Sequence, residues 1–207
     1  MVFTCKLLIM LNLNNSGFHF ILASQSPRRQ FLLYEIGLNF EIRVKSTDES
    51  YPPELLCEEI ALFVSKAKSD EFDFDELPDN SVVITADTIV WLEGECIGKP
   101  VDEADAIEML GRLSGKKHTV ATGVCLRTRD RFHMFHVNTD VYFRRLEPAE
   151  IAYYVTNYRP LDKAGAYGIQ EWIGYIGVER IEGSYFNVMG LPVQRLYCEL
   201  QQFLAAK

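Results

Sequence analysis

The sequence predicts an α/β fold, in which helices flank a mixed β-sheet and two lobes surround a central cleft. Strand-like and helix-like stretches alternate along the chain. Residues 82–86 (VVITA) are apolar or small on both faces, as in a buried strand. Residues 118–127 and 132–143 alternate around the polar turn 128–130, as in a long antiparallel hairpin. Buried parallel-type and hairpin-type strands therefore share the predicted sheet.

The other elements follow from local patterns in chain order. Further strands are predicted at residues 19–23, 40–44 and 175–181, and residues 89–92 continue the buried strand up to a turn at 93–95. Helices are predicted at residues 28–36, 54–69, 102–113, 147–156 and 191–204. Gly37 favours the end of the first helix, and Pro148 and Pro192 favour the beginnings of the last two. Residues 70–80 are predicted to form an acidic surface loop.

Length and composition predict one globular domain. The 207 residues lie at the upper end of an ordinary domain, and 48% hydrophobic with 24% charged residues is a usual globular composition. We assign this domain to residues 18–207 and treat residues 1–17 as an N-terminal extension, with Met10 as an alternative start. The apolar stretch 3–13 is too short to span a membrane, so no membrane association is expected.

Charge and cysteine usage narrow the possible partners and compartment. The net charge of -8 argues against binding to nucleic acid, because duplex-DNA binders normally present a basic face. An acidic chain can still bind phosphate groups, but only through a local cluster of basic residues. The five cysteines are odd in number and form no CxxC pair, which argues against a disulfide framework and a zinc ribbon. We expect buried thiols in a reducing cytoplasm.

The first candidate site is the segment 24–29 (SQSPRR), between a predicted strand and a predicted helix. Ser26 is a good N-cap, and Pro27 suits the first helical position. A helix N-terminus offers free N–H groups and the positive end of the helix dipole. Arg28 and Arg29 add donors that fit phosphate geometry. The segment is a candidate triphosphate cradle, although a capped helix with two solvated arginines explains the residues equally well.

Asp87 and Lys99 are the second and third candidates. Asp87 follows the buried strand 82–86, at the end where ligands bind in open α/β sheets. A carboxylate there can hold a divalent metal ion or activate water, whereas the alternative is a turn or N-cap aspartate. Lys99 is held extended by Pro100 and can reach a phosphate, but by itself an ordinary turn lysine is the better interpretation.

The segment 162–170 (DKAGAYGIQ) is the fourth candidate, because its small residues let the backbone approach a ligand. Gln170 can both donate and accept hydrogen bonds and can therefore recognise a base edge. The alternative is a tight strand entry with packing glycines. Glu49 and Lys66 are surface charges by default. As partners of the other sites, Glu49 would be a second metal ligand and Lys66 a contact to phosphate or carboxylate.

Several common catalytic motifs are absent from the sequence. The four histidines show no metal-binding spacing such as HExxH, so we expect structural roles for them. No GxxxxGK[ST] segment occurs, which excludes P-loop chemistry at the level of motifs. No GxSxG segment supports a serine hydrolase.

Taken together, six segments resemble the Maf family of nucleotide pyrophosphatases. In chain order they are LASQSPRRQFLL, ITADTIV, GKPVDEADAIEML, LSGKKHTVATGV, PLDKAGAYGIQ and GSYFNVMGLP, between residue 22 and about residue 200. The resemblance implies the elongated Maf / ITPase-like α/β fold with a cleft through a mixed sheet, and a homodimer. The sequence departs from the family pattern in two ways. It carries the N-terminal extension, and Gln25 replaces a small residue that is common in the family between the two serines.

The resemblance also implies roles for individual residues. Asp87 matches the catalytic proton acceptor for the attacking water and, with Glu49, would bind a divalent cation, Mg²⁺ or Mn²⁺. The positions around the triphosphate match Ser24, Arg28, Arg29, Lys66 and Lys99. Three positions linked to substrate choice match Arg29, Thr88 and Gln170. Their identities resemble the subgroup that prefers dTTP and UTP rather than the one acting on 7-methyl-GTP.

The implied activity is hydrolysis of dTTP and UTP, with modified pyrimidine nucleotides as further candidates, to the monophosphate and pyrophosphate. Such an enzyme would remove unwanted nucleotides from the cellular pool. A different class of function is a non-catalytic, nucleotide-binding regulator of septum formation or cell division, which predicts binding without turnover. A third is a phosphatase, which would release inorganic phosphate instead of pyrophosphate.

Overall fold

The computed structural model describes residues 13–206. The alternative start Met10 and residues 1–12 of the predicted extension lie outside this range. Residues 13–17 contact the rest of the protein: Leu13 is buried in the main core, and the Asn14 side chain donates to the Gly37 carbonyl at 2.7 Å. Within residues 13–206, no helix is long and apolar enough to cross a membrane.

Seven strands of the described chain form one mixed sheet, which confirms the predicted α/β fold. They are β1 (His19–Leu22), β2 (Glu41–Ile42), β3 (Ser81–Leu92), β4 (Glu95–Ile97), β5 (Lys117–Arg127), β6 (Phe132–Phe143) and β7 (Val178–Glu182). Their order is β2-β1-β3-β5-β6-β7, and β4 pairs with β3. β1 is parallel to β2 and β3, whereas the remaining pairs are antiparallel. The predicted hairpin is confirmed as β5 and β6.

Helices connect the strands and cover the sheet. They are α1 (Pro27–Glu35), α2 (Glu58–Asp70), α3 (Glu103–Leu113), α4 (Pro148–Tyr158), α5 (Trp172–Gly177), α6 (Tyr185–Val188) and α7 (Val193–Ala205). Two 3-10 turns lie at Phe74–Glu76, inside the predicted acidic loop, and at Ala164–Ala166. The prediction placed the start of α2 four residues early, because residues 54–57 precede the helix.

The two faces of the sheet bury different sets of side chains. On one face, Ile60, Ala61 and Val64 of α2 pack against Ile89 of β3 and Ala121 of β5. On the other face, apolar residues of α3, α4 and α7 join the alternate residues of β3 and β5 in the main core. This alternation follows from the two-residue period of a strand, so successive β3 side chains contact different layers.

Two predictions about strands are wrong. Asp87 does not lie at the end of a strand, because β3 continues to Leu92 and pairs with β5 along residues 83–91. The predicted strand 175–181 begins at Val178, because the preceding residues form α5. Ile173 and Gly177 are both buried and are four residues apart, which is the spacing of one helix face.

One edge of β3 is interrupted where the cleft opens. β1 pairs with residues 81–84 of β3, and β4 pairs with residues 90–92. In the part of the chain that the structure describes, residues 85–89 have no strand partner on that side, although β5 pairs along their other side. Asp87 and Thr88 therefore lie at an open sheet edge between two strand ends.

Candidate active site

A cleft of about 690 Å³ lies at the open edge of β3. Its volume is within the usual range for small-molecule sites, roughly 300–1,000 Å³. Eight of the nine residues predicted from the sequence line it: Ser24, Arg28, Arg29, Glu49, Asp87, Thr88, Lys99 and Gln170. The fold thus collects segments that are far apart in the chain around one cavity.

Lys66 is the predicted residue that the structure places elsewhere. Its ammonium pairs with Asp70 at 2.6 Å and lies 4.8 Å from the centroid of the Phe132 ring. Lys68 lines the cleft instead. Each helical residue turns by about 100°, so two positions along α2 move a side chain to a different face. The signal was available in the sequence, because Lys68 continues the four-residue spacing of Ile60 and Val64, which face the sheet.

Lys68, Asp87, Glu49 and Lys99 form a compact cluster of four charges. The Lys68 Nζ lies 2.7 Å from Asp87 Oδ1 and 2.7 Å from Glu49 Oε1. The Lys99 Nζ lies 3.1 Å from the second oxygen of Glu49. The side chains of Asp87 and Lys68 are only 14% and 16% exposed, so their pairing is shielded from water more than a surface ion pair is. The two carboxylates and the two ammonium groups balance in charge.

Glu49 is kept ionised by this cluster. Partial burial by itself raises the pKa of Glu49, but the hydrogen bond from Lys68 and the charges of Lys68 and Lys99 together outweigh it. The net effect lowers the pKa of Glu49 below its ordinary value. Glu49 is therefore a carboxylate at neutral pH and can bind a cation.

The N-terminus of α1 opens into the same cleft. Ser26 caps the helix by accepting from the Arg29 N–H, as the sequence predicts, and the Ser26 N–H donates to Ser24 Oγ at 3.2 Å. Arg28, in the first turn, pairs across the cleft with Asp162 at 3.0 Å. The positive end of the helix dipole and the Arg28 guanidinium therefore face the same space, a combination that suits a phosphate.

Arg29 connects three elements of the site. Its Nε donates to the Gly190 carbonyl at 2.8 Å, one Nη donates to the Ala86 carbonyl at 2.8 Å, and the other donates to Thr88 Oγ1 at 3.0 Å. The Ala86 carbonyl belongs to the open edge of β3, where it lacks a strand partner. Burial lowers the pKa of Arg29 from its ordinary value, but an arginine stays charged in proteins. Arg29 thus fixes α1, β3 and the turn at Gly190 to one another.

The segment 162–170 forms the opposite wall. The buried Lys163 ammonium lies 2.7 Å from Asp162 and 3.2 Å from Glu171, and the Gly165 N–H donates to the Gly98 carbonyl at 2.9 Å. Gly165 belongs to the 3-10 turn Ala164–Ala166 and has φ 69°, so the segment is not the strand entry that was the alternative. This turn fixes the cleft wall to the loop that carries Lys99.

Gln170 ends this wall at the cleft. Its Oε1 is buried and has no hydrogen-bond partner within the described chain. A buried amide oxygen without a partner costs stability, so it is well suited to accept from a ligand.

The sequence matches a known family over most of its length. The family model described as Maf-like protein matches residues 19–203. The chain belongs to the Maf family. The resemblance inferred from six sequence segments is thereby confirmed for nearly the whole length of the chain.

Three relatives illustrate which proteins this Maf protein is similar to. The dTTP/UTP pyrophosphatase of Bacteroides fragilis (strain ATCC 25285) is 53% identical over 190 residues, 91% of this chain and 98% of the relative. The protein of the same name from Phocaeicola vulgatus is 52% identical over the same shares of the two chains. That of Flavobacterium johnsoniae is 48% identical over 177 residues, 86% of this chain and 91% of the relative.

The Maf chain offers a divalent cation two carboxylates rather than a complete ligand set. Among residues 13–206, no group of three or more His, Cys, Asp or Glu side chains is arranged to hold a metal ion. Asp87 and Glu49 nevertheless point at one common position, occupied by the Lys68 ammonium. Mg²⁺ is usually bound by one or two carboxylates together with substrate phosphates and water. The donor set therefore fits Mg²⁺ or Mn²⁺ that is shared with a phosphate group.

Proposed function

We propose that the protein is a nucleoside triphosphate pyrophosphatase that hydrolyses dTTP and UTP to the nucleoside monophosphate and pyrophosphate. Membership of the Maf family and relatives named dTTP/UTP pyrophosphatase support this activity. The observation that carries it is the Asp87–Glu49–Lys68–Lys99 cluster in a cleft that also receives Arg28. A triphosphate needs several cationic groups around one site, and the cleft concentrates them in an otherwise acidic chain.

In this proposal Asp87 accepts a proton from the water that attacks the α-phosphorus. It is the partly buried carboxylate of the open β3 edge, and general-base assistance is typically worth about 10²–10⁴-fold in rate. A bound Mg²⁺ or Mn²⁺ would neutralise phosphate charge and polarise the phosphoryl group, with Asp87 and Glu49 as its protein ligands. Arg28, Lys68 and Lys99 would hold the charge that develops on the leaving pyrophosphate.

Gln170 is proposed to select the base. Thymine and uracil both carry an N–H at the ring position where cytosine carries only an acceptor, and the unpaired Gln170 Oε1 can accept from that N–H. Thr88, held by Arg29, supports the neighbouring wall. The same contact would be available to pyrimidines modified at other positions, so modified uridine and thymidine nucleotides remain candidate substrates.

The Gln170→Leu variant tests this selection. We expect it to lower kcat/KM for UTP by about tenfold or more, since the base N–H would be left unpaired against an apolar side chain. Steady-state kinetics with UTP, dTTP and CTP provide the measurement. An equal loss for all three nucleotides would contradict a role for Gln170 in recognising the base.

A turnover screen with Asp87→Asn as the control tests the activity itself. Canonical and modified nucleoside triphosphates are incubated with Mg²⁺ or Mn²⁺, and pyrophosphate and phosphate are measured separately. We expect pyrophosphate from dTTP and UTP, and a loss of at least about 100-fold in the variant. Release of phosphate alone would identify a phosphatase. Tight nucleotide binding without turnover would favour a non-catalytic regulator of septum formation.

We also propose a homodimer, as the family resemblance suggests, and a cytoplasmic location, as the free cysteines among residues 13–206 suggest. Sedimentation equilibrium of the full chain measures the assembly state. A monomer at micromolar concentration would rule out the stable dimer without affecting the proposed reaction.

A further inference from the structure

We infer that Lys68 keeps the metal site closed in the free protein, so that a divalent ion enters only together with the triphosphate. This inference rests on the metal-dependent function proposed above and concerns the order in which the ligands assemble. Lys68 is then an electrostatic gate rather than a phosphate ligand alone.

The position of the Lys68 ammonium supports the inference. One nitrogen lies 2.7 Å from an oxygen of Asp87 and 2.7 Å from an oxygen of Glu49. A divalent ion that bridges these two oxygens would need the same position between them. Metal and ammonium therefore compete for one place, and the second oxygen of Glu49 already accepts from Lys99.

The balance of charge makes this competition unfavourable for a bare ion. With Lys68 and Lys99 in place, Asp87 and Glu49 are already neutralised, so an added divalent ion meets no net negative charge. It would also lie beside an ammonium group in a partly buried site, where repulsion between like charges is stronger than in water. The free protein should thus bind Mg²⁺ or Mn²⁺ weakly even though it carries both carboxylates.

A triphosphate removes the obstacle. Phosphate oxygens attract an ammonium group strongly, and a lysine is a point charge on a flexible four-carbon stem that can turn toward them. The backbone of α2 is held in place, because Ala61 of that helix packs directly on Gly123 of β5. The movement is therefore confined to the Lys68 side chain. When the Lys68 side chain turns to the phosphates, Asp87 and Glu49 are left free for the ion that those phosphates carry.

The test measures Mn²⁺ binding to the full chain without nucleotide, by the electron paramagnetic resonance signal of free Mn²⁺. We expect Lys68→Met to bind Mn²⁺ at least about tenfold more tightly than the unaltered protein, a coupling of ordinary size. The matched control is Lys66→Met, which removes the same charge from the same helix at a residue paired outside the cleft. We expect the control to match the unaltered protein within about twofold.

A double variant locates the ion that binds. Adding Asp87→Asn to Lys68→Met should return the Mn²⁺ affinity to that of the unaltered protein, because it removes one of the two carboxylates. If Lys68→Met does not fold, as judged by circular dichroism, Lys68→Gln replaces it. Equal Mn²⁺ affinity in the unaltered protein and the Lys68 variant would overturn the inference.

The measurement is independent of turnover. If the unaltered protein released no pyrophosphate from any nucleotide, the proposed function would fail while a tighter Mn²⁺ site in Lys68→Met would still support the gate. If pyrophosphate were released but the variant gained no affinity for Mn²⁺, only the gate would fail.

Discussion

At the scale of single residues, one buried polar side chain, His118, contacts a residue that lines the cleft. His118 on β5 is 1% exposed, and its Nε2 lies 2.8 Å from the hydroxyl of Tyr167, a residue of the cleft wall. The other ring nitrogen has no partner within residues 13–206. A neutral imidazole satisfies this environment better than a charged one, because a buried positive charge would lack solvation.

His118 should therefore make stability depend on pH. Burial lowers the pKa of His118 from 6.5 to about 4, although the charge of Asp140 opposes this shift. Between those values the unfolded chain binds the extra proton, so the free energy of unfolding falls as the pH falls. The expected loss is on the order of 3 kcal/mol between pH 6.5 and pH 4.

The variant His118→Gln can keep a hydrogen bond to Tyr167 but cannot take up the proton. Chemical denaturation of both proteins at several pH values measures the difference. We expect the variant to lose less stability on acidification than the unaltered protein. Parallel pH profiles for the two proteins would show that protonation of His118 is tolerated in the folded state.

At the scale of elements, the position of α2 decides where the charges meet. Gly123 of β5 is the register partner of Asp87, and a Cβ at Gly123 would lie 2.4 Å from the Ala61 carbonyl carbon in α2. The helix backbone therefore rests on the strand beside Asp87, and this close approach brings Lys68 within reach of it. Only glycine permits such a contact.

Gly123→Ala should displace α2 and with it Lys68. We expect destabilisation of roughly 1–3 kcal/mol, as for other overpacked sites, and a fall in kcat that exceeds any change in folded fraction. Gly111→Ala is the matched control, because Gly111 is inside α3 and a Cβ there meets nothing within 4 Å. The control should be neutral or slightly stabilising, since alanine favours a helix. Thermal unfolding and steady-state kinetics distinguish the two variants.

The sequence could predict the β5–β6 hairpin and the start of α1, because the local patterns of these elements are strong. The β5–β6 hairpin alternates over many residues, and Ser26 with Pro27 marks the start of α1. It could not predict that 175–177 are helical, because a short apolar stretch fits either period and tertiary packing decides. The choice of Lys66 over Lys68 was avoidable, because Lys68 continues the four-residue spacing of Ile60 and Val64 and so lies on the face that packs on the sheet.

At the scale of the whole molecule, the site depends on contacts between segments far apart in the chain. Arg29 reaches Gly190 across 161 positions, and Arg28 reaches Asp162 across 134. Spacing in the sequence cannot reveal such contacts, so individual candidates could be found from the residues, but only the family resemblance predicted that they share one cleft. Only the structure reveals the ion pairs of Lys68 with Asp87 and Glu49, and the absence of a hydrogen-bond partner for Gln170 Oε1 within residues 13–206.

The interrupted edge of β3 has a consequence for association between molecules. An unpaired stretch of strand is a template on which a strand of another chain can add, and this is how many aggregates begin. Here the open stretch is limited to residues 85–89, the Ala86 carbonyl is bonded to Arg29, and the charged side chain of Asp87 projects from its centre. The groups that prepare this edge for a nucleotide thus also protect it from other polypeptides.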